Sequence, residues 1–155
     1  MTGLKLIRPI DKEATLANVH QFFFNDRYYP TIRRRSGSWT VGSPTMDISG
    51  VSSAPAGNAN EQKYLEIVHY RQAVNAVDYA IAGCCARSRA ILKYEYQERL
   101  QIKEVKELVR LYGHDTYINA DRYACFEFAE TIETARVMYA VTDIIPKLQQ
   151  EVNRN

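Results

Sequence analysis

The sequence predicts an all-α protein whose C-terminal half contains a helix-turn-helix. Three observations lead there. Apolar residues recur at helical spacing, most regularly at Ile102, Val105, Leu108, Val109 and Tyr112. No segment alternates polar and apolar residues over a length that would make a strand. From Arg87 to Glu130, three short amphipathic segments follow one another across tight turns, the middle one ending at Leu111-Tyr112-Gly113.

The elements follow in order. Asp11 to about Tyr29 has Leu16, Val19, Phe22 and Phe23 at helical spacing; Asp11 or Thr15 is placed to cap its start, and Pro30 to end it. Residues 36–59 are rich in Ser, Gly, Pro and Asn and almost free of charge, the composition of a long linker. From Asn60 a long helix is expected, with Tyr64, Leu65, Val68, Val74, Val77 and Ile81 on its stripe and its end near Gly83. Helices over about 87–97, 101–112 and 116–140 complete the set. Gly113, without a Cβ, suits the left-handed turn that closes the middle one. Ile118, Cys125, Phe126, Ala129 and Ile132 stripe the last. Beyond Pro146, the spacing of Ile144, Leu148 and Val152 suggests a short final helix. Four units result: residues 1–35 with a basic cluster, 36–59 as linker, 60–140 as the helix-turn-helix domain, and 141–155 as tail.

At 155 residues, 46% apolar and 25% charged, the chain has the composition of an ordinary globular domain. A formal net charge of +2 does not by itself argue for nucleic acid, but the charge is patchy. Arg27, Arg33, Arg34 and Arg35 fall within nine residues without an acid. From Arg87 to Arg110 basic residues outnumber acidic ones seven to four, whereas from His114 to Glu130 four acids face only Arg122. No apolar run approaches the ~20 residues of a membrane span. The first residues lack the apolar stretch of a secretion signal, so a cytoplasmic protein is expected. Cys84, Cys85 and Cys125 are odd in number and lack C-x-x-C spacing, which indicates neither a disulfide framework nor a zinc site. His20, His69 and His114 have no carboxylate or thiol at ligand spacing along the chain. With no glycine-rich phosphate loop, nucleophile elbow or conspicuous pair of carboxylates, the chain is read as a non-enzyme without cofactor or metal.

Several pieces in this order resemble the ArpU family of phage transcriptional regulators, which control late genes in phages of Gram-positive bacteria. They are NVHQFFFNDRYYPTIRRRSG, the linker SPTMDISGVSSAPAGNANEQ, SRAILKYEY, the helix-turn-helix and ACFEFAE, together covering about residues 14–132. In that family the C-terminal helices are similar to the promoter-reading domain of bacterial sigma factors. The resemblance implies a DNA-binding activator acting near a late promoter in a bacterial host. Double-stranded DNA would be its ligand and RNA polymerase a further partner. Ser88 to Tyr96 would be the leading helix, Ile102 to Tyr112 the supporting helix, and the residues from Thr116 the recognition helix.

On this reading Thr116, Tyr117, Asn119, Arg122 and Tyr123 are the candidates for base contact. Asn pairs bidentately with adenine and Arg with guanine. Equally, Asn119 could serve only as a cap, and Arg122 could pair with a neighbouring acid. Arg87 and Arg89, beside Ser88 at a helix start, are candidates for phosphate contact; Lys103 and Lys106 read better as part of a solvated face. The triplet Arg33, Arg34 and Arg35, beside Tyr28, Tyr29 and Trp39 in a flexible segment, suits a minor groove or a phosphate track; a solubilising loop or a patch for an acidic protein partner is the alternative. The acidity of the last helix keeps open a sigma-like adaptor that binds protein without specific DNA affinity. A small terminase subunit, which also carries a helix-turn-helix and forms rings, is a further reading. A homo-oligomer fits either DNA-binding class.

Overall fold

The computed structural model describes residues 8–37 and 58–153 and is all-α, with six α-helices and one π-wound segment. Most of the expected linker and Trp39 lie outside the described residues. Helix α1 spans Lys12–Phe24; Asp11 caps it by accepting from the Ala14 N–H at 3.0 Å. It ends at Phe24, where Asn25 turns extended (φ −76°, ψ 128°), and Pro30 begins a second helix instead of ending the first. Proline's fixed φ and missing N–H suit a first turn, and α2 spans Tyr29–Ser36 with Pro30 in that position. Gly37, at φ 73°, closes α2 in the left-handed conformation. The arginine triplet therefore sits on a folded helix and not on a flexible arm.

Helix α3 covers Asn58–Ala82, and α4, Ala86–Ile91, continues directly into a π-wound segment, Leu92–Gln97. The wide winding shows in the Glu98 N–H, which reaches back five residues to the Lys93 carbonyl at 2.9 Å. Helix α5 spans Ile102–Val109 and α6 His114–Met138. The turn between them corrects one expectation. Arg110 takes the left-handed conformation at φ 58°, and the Leu111 N–H returns to the Lys106 carbonyl; Gly113 instead has φ −73° as the N-cap of α6. The helix ends a turn earlier than its stripe suggests. Accordingly only Val105 of that stripe is fully buried, while Ile102, Leu108 and Tyr112 stand in solvent.

Helices α1, α2, α3 and α6 share one core, so the divisions at 35/36 and 59/60 do not separate independent packing units. Its centre is aromatic: Phe23 lies 4.9 Å from Phe128, 5.2 Å from Tyr29 and 5.3 Å from Tyr96, ring centre to ring centre. Ala73, Ala76, Val77 and Ala80 of α3 let that helix approach closely. The tail is extended and not helical, a second correction. Ala140, at φ 55°, breaks α6, and Val141, Ile145 and Leu148 return to the core. Residues 148–152 then run antiparallel to the start of the chain. Asp11 N–H donates to the Gln150 carbonyl (2.8 Å), Val152 N–H to the Pro9 carbonyl (3.0 Å), and Ile10 bridges Glu151. The Asn18 amide donates to the Leu148 carbonyl and the Gln150 N–H to the Thr15 hydroxyl, each at 3.0 Å. Backbone groups of the extended tail are thus satisfied by α1 and the residues just before it. Among the described residues no helix is long and apolar enough to cross a membrane.

Candidate nucleic-acid interface

In the segment α4–π–α5–α6, α6 packs against α4, α3 and α1, and α5 against α4 and the π segment. Four residues, Arg110 to Gly113, join α5 to α6. The first turns of α6 divide cleanly by period. Tyr117, Ala120 and Ala124 face the core, while Thr116, Asn119 and Tyr123 are exposed along one outer face. From Thr116 to Tyr123 that face runs about 10 Å, comparable with a major groove about 12 Å wide.

The sequence candidates separate accordingly. Thr116, Asn119 and Tyr123 project outward, Tyr123 being 52% exposed. Asn119 lies in the second turn of α6, which begins at His114 with Gly113 as its N-cap, so a capping role for it is excluded. Tyr117 is corrected: it is only 2% exposed, and its hydroxyl donates to Glu95 Oε2 at 2.6 Å, which leaves nothing to offer a base. Arg122 is directed to α1, where it pairs with Glu13 at 2.5 Å. It reaches a base only by giving up that partner.

The basic groups are built into the fold as well. Arg34 holds Asp26 with two hydrogen bonds, 2.9 and 3.0 Å, and keeps that carboxyl below the usual range. Arg35 donates to the Tyr70 hydroxyl (2.9 Å) and lies 3.8 Å from Glu66. Arg33 lies over the Tyr29 ring, 5.7 Å from its centre. These contacts fix α2 to α3 and to the turn that precedes it. Arg33, Arg34 and Arg99 nevertheless share the wall of one open crevice of about 580 Å³, together with Asp26, Gln97 and Glu98. Arg99, at φ 56° just past the π segment, donates to the Phe23 carbonyl at 3.0 Å.

At the start of α4, Arg87 is exposed and Arg89 donates to the Cys84 carbonyl at 3.1 Å. Ser88, between them, is buried and faces inward. Its hydroxyl donates to Glu127 at 2.6 Å, and the same carboxylate accepts from the Cys85 N–H at 3.1 Å. Burial alone would raise the Glu127 pKa, but these two donors hold it below its ordinary value. A residue of α6 thereby caps α4, locking the two helices together.

Behind the outer face of α6 lies a polar cluster that chain spacing did not reveal. The Tyr96 hydroxyl donates to Asp121 Oδ1 (2.8 Å), accepts from the Cys125 thiol (3.0 Å) and lies 3.0 Å from His20 Nε2. Glu95, next to Tyr96 on the π segment, accepts from Tyr117 and also faces Asp121. Burial, reinforced by the Asp121 carboxyl, pushes Glu95 up to about 8, so it is protonated at neutral pH. Burial likewise raises the Tyr96, Tyr117 and Cys125 pKa values. The i, i+4 spacing of Asp121 and Cys125 was legible; His20, a hundred residues away, was not.

No family model, curated protein or solved structure matches the chain.

Proposed function

We propose that the protein is a sequence-specific duplex-DNA-binding transcriptional regulator, a phage or prophage late-gene activator of the ArpU kind. The observation that carries this reading is the outer face of α6. Three polar side chains, Thr116, Asn119 and Tyr123, stand free on the first turns of a helix whose inner face is rigidly held, with a short helix and a four-residue turn before it. Those turns enter a major groove and read bases. Arg87 and Arg89 at α4, and the crevice of Arg33, Arg34 and Arg99, follow the phosphates on either side. Polymerase contact falls to the exposed apolar residues Ile102, Leu108 and Tyr112 of α5 and its turn.

Selection of bound duplexes from a random pool at ~150 mM salt tests the reading, since non-specific binding is suppressed there. An enriched motif whose preference relaxes at one or two positions in Thr116→Ala or Asn119→Ala is the expected result. Recovery of no motif refutes it. The same apolar residues of α5 favour a second reading, a protein-binding adaptor without specific DNA affinity. That reading predicts binding to polymerase subunits that is lost in Leu108→Ser while DNA selection stays flat.

A further inference from the structure

Four side chains from three elements converge where α1 crosses α6. His20 comes from α1, Tyr96 from the π segment, and Asp121 and Cys125 from successive turns of one face of α6. The imidazole nitrogen, carboxylate oxygen and thiol sulfur all lie within 4.8 Å of one another. The Tyr96 oxygen lies among them, 3.0 Å from His20, 2.8 Å from Asp121 and 3.0 Å from Cys125.

We propose that His20, Tyr96, Asp121 and Cys125 form a four-donor site for a zinc-class transition-metal ion. The geometry is close to what such an ion requires. With bonds of about 2.0–2.3 Å, a tetrahedral zinc centre places its donors about 3.3–3.8 Å apart. Here three of the six separations are shorter than that range and the other three are no greater than 4.8 Å. Small rotations that draw the phenol oxygen back from its three partners bring the short separations into that range, movements within the reach of side-chain torsions. The mixture of imidazole, carboxylate and thiolate selects zinc, or cobalt as its spectroscopic substitute, over magnesium or calcium, which take oxygen donors alone.

Placement in the fold supports the same conclusion. Cys125 is fully buried, Asp121 half-buried and His20 exposed, so the donors form a pocket closed on the thiol side and open to solvent at the imidazole. Tyr96 owes its position to the π winding, an irregularity concentrated at functional sites. Neither Cys84 nor Cys85 belongs to the set. A metal ion there ties α1 to α6, and the proposal stands independently of DNA binding.

The test is titration of the full chain with Co²⁺ at neutral pH under reducing conditions, followed by displacement with Zn²⁺. The expected result is one equivalent of cobalt with the strong visible bands of a four-coordinate centre and a near-ultraviolet thiolate charge-transfer band. Cys125→Ser should abolish the charge-transfer band, and His20→Asn should weaken binding at least about tenfold. Cys84→Ser and Cys85→Ser should leave both intact. Absence of four-coordinate bands overturns the proposal, as does a charge-transfer band that survives in Cys125→Ser. If Cys125→Ser fails to fold by circular dichroism, His20→Asn decides alone. His20 is a surface residue, and unchanged cobalt affinity in that variant overturns the site.

Discussion

The protonated carboxyl of Glu95 makes a quantitative prediction about stability against pH. Its native pKa is about 8, whereas an unperturbed glutamate titrates near 4.5. Between those values the folded protein holds a proton that the unfolded chain has released, so unfolding releases it and stability falls as pH rises. The contribution is complete below about pH 4.5 and is lost by about pH 8. The limiting slope is about 1.4 kcal/mol per pH unit; partial exposure of the side chain reduces the whole effect to about 2 kcal/mol across the window. Glu95→Gln keeps the shape of the group: its amide oxygen still accepts from Tyr117, and its nitrogen still donates towards Asp121. Urea unfolding of the metal-free protein, followed by circular dichroism at pH 5, 6, 7 and 8, should show the variant gaining on the wild type by about 2 kcal/mol from the acid to the alkaline end. Titrating groups remote from the Glu95–Asp121 contact are common to both proteins and cancel. Parallel pH profiles, or a variant that loses ground at pH 8, would refute the assignment of a protonated Glu95.

Four further outcomes are expected. The His69 imidazole contacts Asp143 at 2.9 Å, which raises its pKa above 6.5; in Asp143→Asn the NMR titration midpoint of His69 should fall. Phe23→Ala, at the centre of the aromatic core, should cost about 3–5 kcal/mol in chemical denaturation. Tyr117→Phe should cost about 1–3 kcal/mol by leaving Glu95 without a donor, whereas Tyr123→Phe should stay within about 0.5 kcal/mol, because only the first hydroxyl faces inward. Ala140→Gly should stabilise by about 0.5–1 kcal/mol and raise the thermal midpoint, since φ at Ala140 is 55° and glycine adopts that conformation without a Cβ clash.

Helical periodicity made the all-α class and five of the six helices readable; of the expected α3 stripe Val77 and Ile81 are buried, while Leu65 stands in solvent. Local chemistry was less transparent where one residue serves two opposite purposes. Pro30 ends a helix or starts one with equal ease, and here it starts α2, which turned an expected flexible arm into a packed helix. Gly113 was the obvious left-handed residue, yet Arg110 takes that conformation because α5 stops after two turns. The tail failed as a helix because its backbone finds partners on α1, a long-range fact that no local window contains. Of the candidate interface, the exposed Thr116, Asn119 and Tyr123 were legible from their position at the start of the last helix. Tyr117 and Arg122 share that stretch but face Glu95 and Glu13, which only the packing of α6 on the π segment and α1 determines.

The pairing of residues 148–152 with the start of α1 also sets an order of events during synthesis. Val19, Phe22 and Phe23 are covered by α6 and its neighbours, and the capping end of α1 is completed by Gln150 and Val152. A nascent chain delivered at about 5–20 residues per second therefore carries an unfinished first helix until residues 148–152 have emerged. The local contacts of α4, the π segment and α5 form early, while α1 waits with an aromatic face uncovered. The ribosome-bound chain is thus most exposed to misassembly at α1, and docking of residues 148–152 is what closes that window.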